Sequence, residues 1–159
     1  MNSASPTSLY LARKLLALEE NSRKKRGNTA VAHADNSPID TTARVCQKLQ
    51  RILTAFAGSA GFRSLLTRAL TLAKAQDPWL AGVSVLEDGS LAGFETLPAP
   101  TNKTPKKTPV TSSHGQLLVA QLLDLLVTFI GEALMLQLVR SAWPEASPRE
   151  IRTRIEETR

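Results

Sequence analysis

The sequence predicts a mostly α-helical fold: a small bundle of three main helices plus a short N-terminal helix, with one small β-hairpin. Three observations carry that expectation. Apolar residues recur at helical spacing in every long segment. Leucine and alanine dominate while only 4% of residues are aromatic, which favours helices over a β-sandwich. Proline, glycine and Ser/Thr clusters fall between the periodic segments, where turns belong. A chain of 159 residues suffices for one domain with a single core.

Ser5-Pro6 has the form of a helix cap followed by a first-turn proline. A short amphipathic helix follows to about Glu20, with Leu9, Ala12, Leu15 and Leu16 on one side. Residues 21–39, which include Arg23-Lys24-Lys25-Arg26, lose the periodicity and read as a basic linker. Met1 to Thr7 carries no basic residue, and Arg13-Lys14 and Glu19-Glu20 interrupt the apolar stretch, unlike a signal peptide. The single cysteine, Cys46, excludes an internal disulfide framework. A cytoplasmic setting is the expectation.

The helical domain is predicted over residues 40–143. Asp40, Thr41 or Thr42 caps a helix over about 41–60 whose apolar face is Val45, Leu49, Ile52, Leu53, Phe56 and Ala60. Glycines 58 and 61 end it, because glycine tolerates the backbone angles of a helix terminus. A second helix, about 62–76, presents Phe62, Leu65, Leu66, Ala69, Leu70 and Ala73 before Asp77-Pro78 closes it. Residues 82–94 read as a hairpin turned on Asp88-Gly89. A lone hairpin is marginal in water, so it must lie against the helices or against a second copy. Residues 96–114, rich in proline and lysine, form a connector.

The longest apolar run follows, from Gln116 to Trp143. Its apolar residues cover well over half of a helix circumference, leaving a narrow stripe of Gln121, Asp124, Thr128 and Glu132. The span 117–139 is long enough to cross a bilayer. Asp124 and Glu132 argue against insertion, each costing about 2.5–3.5 kcal/mol at the centre of a spanning helix. The flanks also lack an aromatic belt. A central core helix is the expectation. Pro144 stops it, and residues 144–159 form a charged tail with only Ile151 and Ile155 to bury.

No stretch carries a catalytic signature. Ala57-Gly58-Ser59-Ala60-Gly61 approaches the G-x-S-x-G nucleophile elbow, but its first glycine is alanine and a helix precedes it. Only His33 and His114 offer a base, and both fall in expected linkers. Cys46, His33 and His114 lack metal-ligand spacing. No catalytic, cofactor-binding or metal residue is assigned, and no small-molecule ligand is expected.

Half of the net charge of +6 lies within residues 101–113, in Lys103, Lys106 and Lys107. Charge placed in a connector bears more on solubility than on a binding face. A nucleic-acid reading rests on the stripe Arg44, Lys48 and Arg51, with Arg63 and Arg68 beyond it, on a two-helix unit. The second helix opens Phe-Arg-Ser-Leu-Leu, without the polar residues that read base edges.

The expected function is therefore a non-enzymatic interaction or regulatory module, a homo-oligomer or the receiver of a helical partner. The premise is that two amphipathic neighbours give too little cover to the long apolar helix. Leu118, Leu122, Leu125 and Phe129 are the candidate buried side, and Thr128 and Gly131 permit close helix approach. Nucleic-acid binding and membrane association through 117–139 are the alternatives.

Overall fold

The computed structural model describes residues 4–26, 38–93 and 110–144. The fold is mostly α, with one two-stranded antiparallel hairpin. Its elements are α1 (Pro6–Arg26), α2 (Pro38–Gln76), a 3-10 turn (Pro78–Gly82), β1 (Ser84–Val85), β2 (Leu91–Ala92), α3 (Val110–Ile130) and α4 (Glu132–Ala142). The segment 27–37, most of the 96–114 connector, and the tail beyond Pro144 with Ile151 and Ile155 lie outside the described residues.

The span α2 consists of two helical arms divided at Gly58, whose φ of 74° and ψ of 168° lie in a region open essentially to glycine alone. The break reverses the chain. Thr42 and Asp77 stand at opposite ends of α2, and a straight helix would hold them about 50 Å apart at roughly 1.5 Å per residue. Instead they meet adjacent residues of α3: Thr42 lies against Gly115, and Asp77 pairs with His114. The arms 38–57 and 59–76 therefore fold back on each other with Gly58 at the apex. Thr41 and Thr42 sit inside the helix and are buried, so they do not cap it.

The first arm buries Val45, Leu49 and Leu53, and the second buries Phe62, Leu66, Ala69, Leu70 and Ala73. Phe56 and Ala60 differ from expectation, because the apex at residues 54–60 projects past the elements that cover the rest. The β-hairpin sits against both arms. Gln50 on the first donates to the Asp88 carbonyl at 2.6 Å, and Arg63 on the second donates to the Glu87 carbonyl at 3.2 Å.

The long apolar segment is not one helix. Gly131, with φ 84° and ψ 159°, divides it into α3 and α4 and turns the chain so that Trp143 reaches Lys48 on the first arm. Glu132 then falls in the first turn of α4, where a negative charge complements the helix dipole. From Leu118 to Leu126 every residue of α3 except Asp124 is buried, between α1 and the two arms of α2. One copy of the chain thus encloses residues 118–126, and the premise of insufficient cover is corrected for that stretch: α1 and the folded-back arms of α2 supply it, while Phe129 stays exposed. Among the described residues no helix is long and apolar enough to cross a membrane, so the reading of 117–139 as a span has no uninterrupted helix behind it.

Close approach between α3 and α2 occurs at Gly115. A Cβ on Gly115 would stand 2.0 Å from Thr42 Oγ1, so only glycine fits between the helices there.

Candidate interaction surface

The α1 helix is longer than its sequence periodicity suggests and lies across the other helices as a strap. Ser5 caps it: its Oγ accepts from the Ser8 backbone N–H at 3.2 Å, and Pro6 follows as the first helical residue. Leu11, Ala12, Leu15 and Leu16 are buried beneath it and Leu9 is half-buried. At about 1.5–3 kcal/mol per fully buried leucine, this face supplies the adhesion. The polar contacts supply the register.

Three clusters fix that register and the ends of the bundle. At the start of α1, the Asp124 carboxylate of α3 accepts from Ser5 N–H at 2.7 Å, Ser5 Oγ at 2.7 Å and Ser8 Oγ at 2.5 Å. A charged acceptor at a helix N-terminus satisfies donors that the helix leaves open and meets the positive end of its dipole. One turn further on, Gln116 Nε2 donates to the Leu9 carbonyl at 3.1 Å.

Towards the other end, the buried Glu19 carboxylate takes Lys48 Nζ at 2.6 Å and Trp143 Nε1 at 3.3 Å on the same oxygen. Lys48 also stands 5.4 Å from the centre of the Trp143 ring, within cation–π range. This trio joins α1, the first arm of α2 and the end of α4.

The third cluster lies away from α1. Asp77 accepts from the Trp79 N–H at 3.0 Å with one oxygen and contacts His114 Nδ1 with the other. The His114 ring stacks on Trp79 at 4.2 Å and 9°. His114 is thereby engaged at the open end of the α2 arms, whereas Ser59 is exposed at the apex, so the two do not meet. Cys46 is buried, and burial pushes its thiol up to about 12, far from nucleophilic at neutral pH. Among the described residues no three His, Cys, Asp or Glu side chains are grouped to hold a metal ion.

The candidate interface residues divide into two sets. Leu118, Leu122 and Leu125 are buried within the chain, against α1 and α2. Thr128, Phe129 and Gly131 are exposed at the end of α3, with Phe129 65% exposed, so Phe129 is not on the buried side. Phe56, at the α2 apex, is 68% exposed. The basic residues are also dispersed. Lys48 is engaged by Glu19 and Trp143, Arg63 by the hairpin, and Arg44, Arg51 and Arg68 are exposed.

Asp124 and Glu19 were legible as charges but not as anchors, since nothing local ties position 5 to 124 or position 19 to 143. A carboxylate within an apolar helix, together with two serines at a helix start, is the signal that pairs them. No family model, curated protein or solved structure matches the chain.

Proposed function

We propose that this protein is a non-enzymatic interaction module that works by helix association. Its recognition surface is the leucine-rich face of α3, and α1 occupies that surface as a releasable strap. The engagement of Asp124 by Ser5 and Ser8 carries the reading. The one carboxylate within the buried stretch of α3 is matched to the start of a helix that reaches the rest of the chain only through residues 27–37. A helix end presenting open N–H groups and hydroxyls is what this face is built to receive. The ion pair of Lys48 with the buried Glu19 occupies the central charge of the basic stripe, which supports this reading over nucleic-acid binding.

Native-state hydrogen exchange on the intact chain tests it. The α1 amides should exchange through an opening that leaves the second arm of α2 protected, at a free energy several kcal/mol below global unfolding. Exchange of α1 only with the whole molecule would defeat the proposal. So would salt-sensitive retardation of DNA that disappears on Arg51→Ala and Arg68→Ala.

A further inference from the structure

The geometry points to the apex of α2 and the end of α3 as one docking surface whose occupant is an anionic lipid surface. Phe56 and Phe129 enter the lipid interface while Arg51 and Arg63 meet its phosphates. None of the polar residues that seat α1 takes part, so the inference goes beyond the strap and does not rest on it.

The two rings stand at one level. Thr42 and Gly115 touch where the first arm of α2 and α3 set out side by side. Phe56 and Phe129 each lie 14 residues further on, about 21 Å at roughly 1.5 Å per residue. The course of α4 agrees with this direction: it runs back from Gly131, and Trp143 comes to rest beside Lys48, near the start of the arm. Gly58 and Gly131 therefore turn the chain at the same end, each with nothing within 4 Å of an added Cβ. Among the described residues the exposed large hydrophobics are Phe56, Phe129 and Leu86. Leu86 adjoins Glu87, whose carbonyl receives Arg63 just past the apex, so all three gather towards this end. Single exposed apolar side chains are ordinary, whereas a gathering of them marks a contact.

Area and charge identify the occupant. Phe56 and Phe129 are each about two-thirds exposed, so the rings offer roughly 200–300 Å² together. A standard protein interface needs about 800 Å² from each partner, which a second copy would not find here. A fluid lipid surface closes round a projecting tip without a matching pocket. Residues 54–61 carry no charge to resist entry. Behind them the arms favour an anionic surface, since residues 41–76 hold six cations and no carboxylate. Arg51 and Arg63 are exposed and stand about 10 Å and 8 Å behind Gly58 along their helices. Phosphates lie at that depth when an apolar edge enters by about 5–10 Å. Among the described residues the carboxylates near this level are Glu132, half-buried in the first turn of α4, and Glu87 and Asp88 in the hairpin turn. They confine entry to the tip, so the rings carry the affinity and the arginines select the lipid.

Flotation of the full chain with vesicles tests the inference, using phosphatidylcholine alone and a two-to-one mixture with phosphatidylserine. The chain should float with the mixed vesicles and several-fold less with phosphatidylcholine alone. Phe56→Ala combined with Phe129→Ala should weaken binding by roughly 30-fold or more. Its Tm should not change, because both rings are exposed. Arg51→Gln should remove most of the preference for phosphatidylserine. Phe129→Trp should keep binding, with emission that moves to shorter wavelength on vesicles and is quenched by lipid brominated in the acyl chains. Absence of flotation, binding that survives the double alanine variant, or Phe129→Trp emission indifferent to brominated lipid would each overturn the inference. So would a light-scattering mass of two copies that falls to 17.2 kDa in the double variant, which would make a second copy the cover. The opening of α1 in hydrogen exchange is independent of all these results, so the two proposals fail separately.

Discussion

Replacing Asp124 by alanine should loosen α1 while leaving the rest of the bundle intact. The carboxylate accepts three hydrogen bonds from α1, at 2.7, 2.7 and 2.5 Å. A hydrogen bond to a charged group is worth about 1.5–3 kcal/mol and a helix cap about 1 kcal/mol. The three share one carboxylate, so they do not add. The donors also regain water when the strap lifts. A net loss of about 2–4 kcal/mol in the closing of α1 follows, equivalent to roughly a 30- to 1,000-fold larger opening constant. Alanine improves the intrinsic propensity of α3 by up to about 0.7 kcal/mol, so weakening of α3 itself cannot mimic the effect. Asparagine keeps one acceptor and should lose about half as much. Hydrogen exchange followed by mass spectrometry reads the change: α1 amides lose protection while those around Leu66 to Ala73 shift by less than about 0.5 kcal/mol. Unchanged α1 protection in Asp124→Ala would show that apolar burial alone holds the strap, and the register assigned to Asp124 would be wrong.

Other perturbations report on the frame. Gly115→Ala should destabilise by about 1–3 kcal/mol in urea melts, despite a helix-propensity gain of up to about 1 kcal/mol, because its Cβ meets Thr42 Oγ1. Adding Thr42→Ala should recover most of that loss, and a cycle without coupling would refute the close approach. Gly58→Ala and Gly131→Ala have open space around the new methyl, so their cost is conformational, about 1–3 kcal/mol each, read as lower Tm with unchanged helicity. Cys46 should resist thiol reagents at pH 8 in the folded chain and react promptly in denaturant. Its folded pKa lies above the unfolded value of about 9. The thiol's contribution is therefore fully present below pH 9 and is lost as pH rises towards 12, and alkaline unfolding should shift upward in Cys46→Ala.

The two arms of α2 were legible because each has its own apolar face and two glycines separate them. The hairpin was legible from Asp88-Gly89, whose Asp88 Oδ1 accepts from the Ser90 N–H at 2.9 Å. Local pattern fell short where tertiary contact decided the outcome. Phe56 continues the apolar face of the first arm yet is exposed, since periodicity does not say where the covering neighbours end. Gly131 sits within apolar sequence that reads as unbroken helix, and only its φ of 84° reveals the turn. The helical start at Val110 lies inside a segment that its prolines mark as connector. The polar stripe on α3 was visible, but its use was not. Gln121 is buried, Asp124 holds α1, and Thr128 Oγ1 donates to the Asp124 carbonyl at 2.9 Å.

Ser5 and Asp124 are 119 positions apart, which has a consequence for a chain emerging from a ribosome. The first helix is made long before the surface that receives it. At about 5–20 residues per second, its leucines wait roughly 6 to 24 seconds for Asp124 to be added, and loop closure over that distance slows the contact further. During that interval the apolar face of α1 is without the α3 surface that covers it in the finished fold. Synthesis itself thus gives the first helix its longest period without cover.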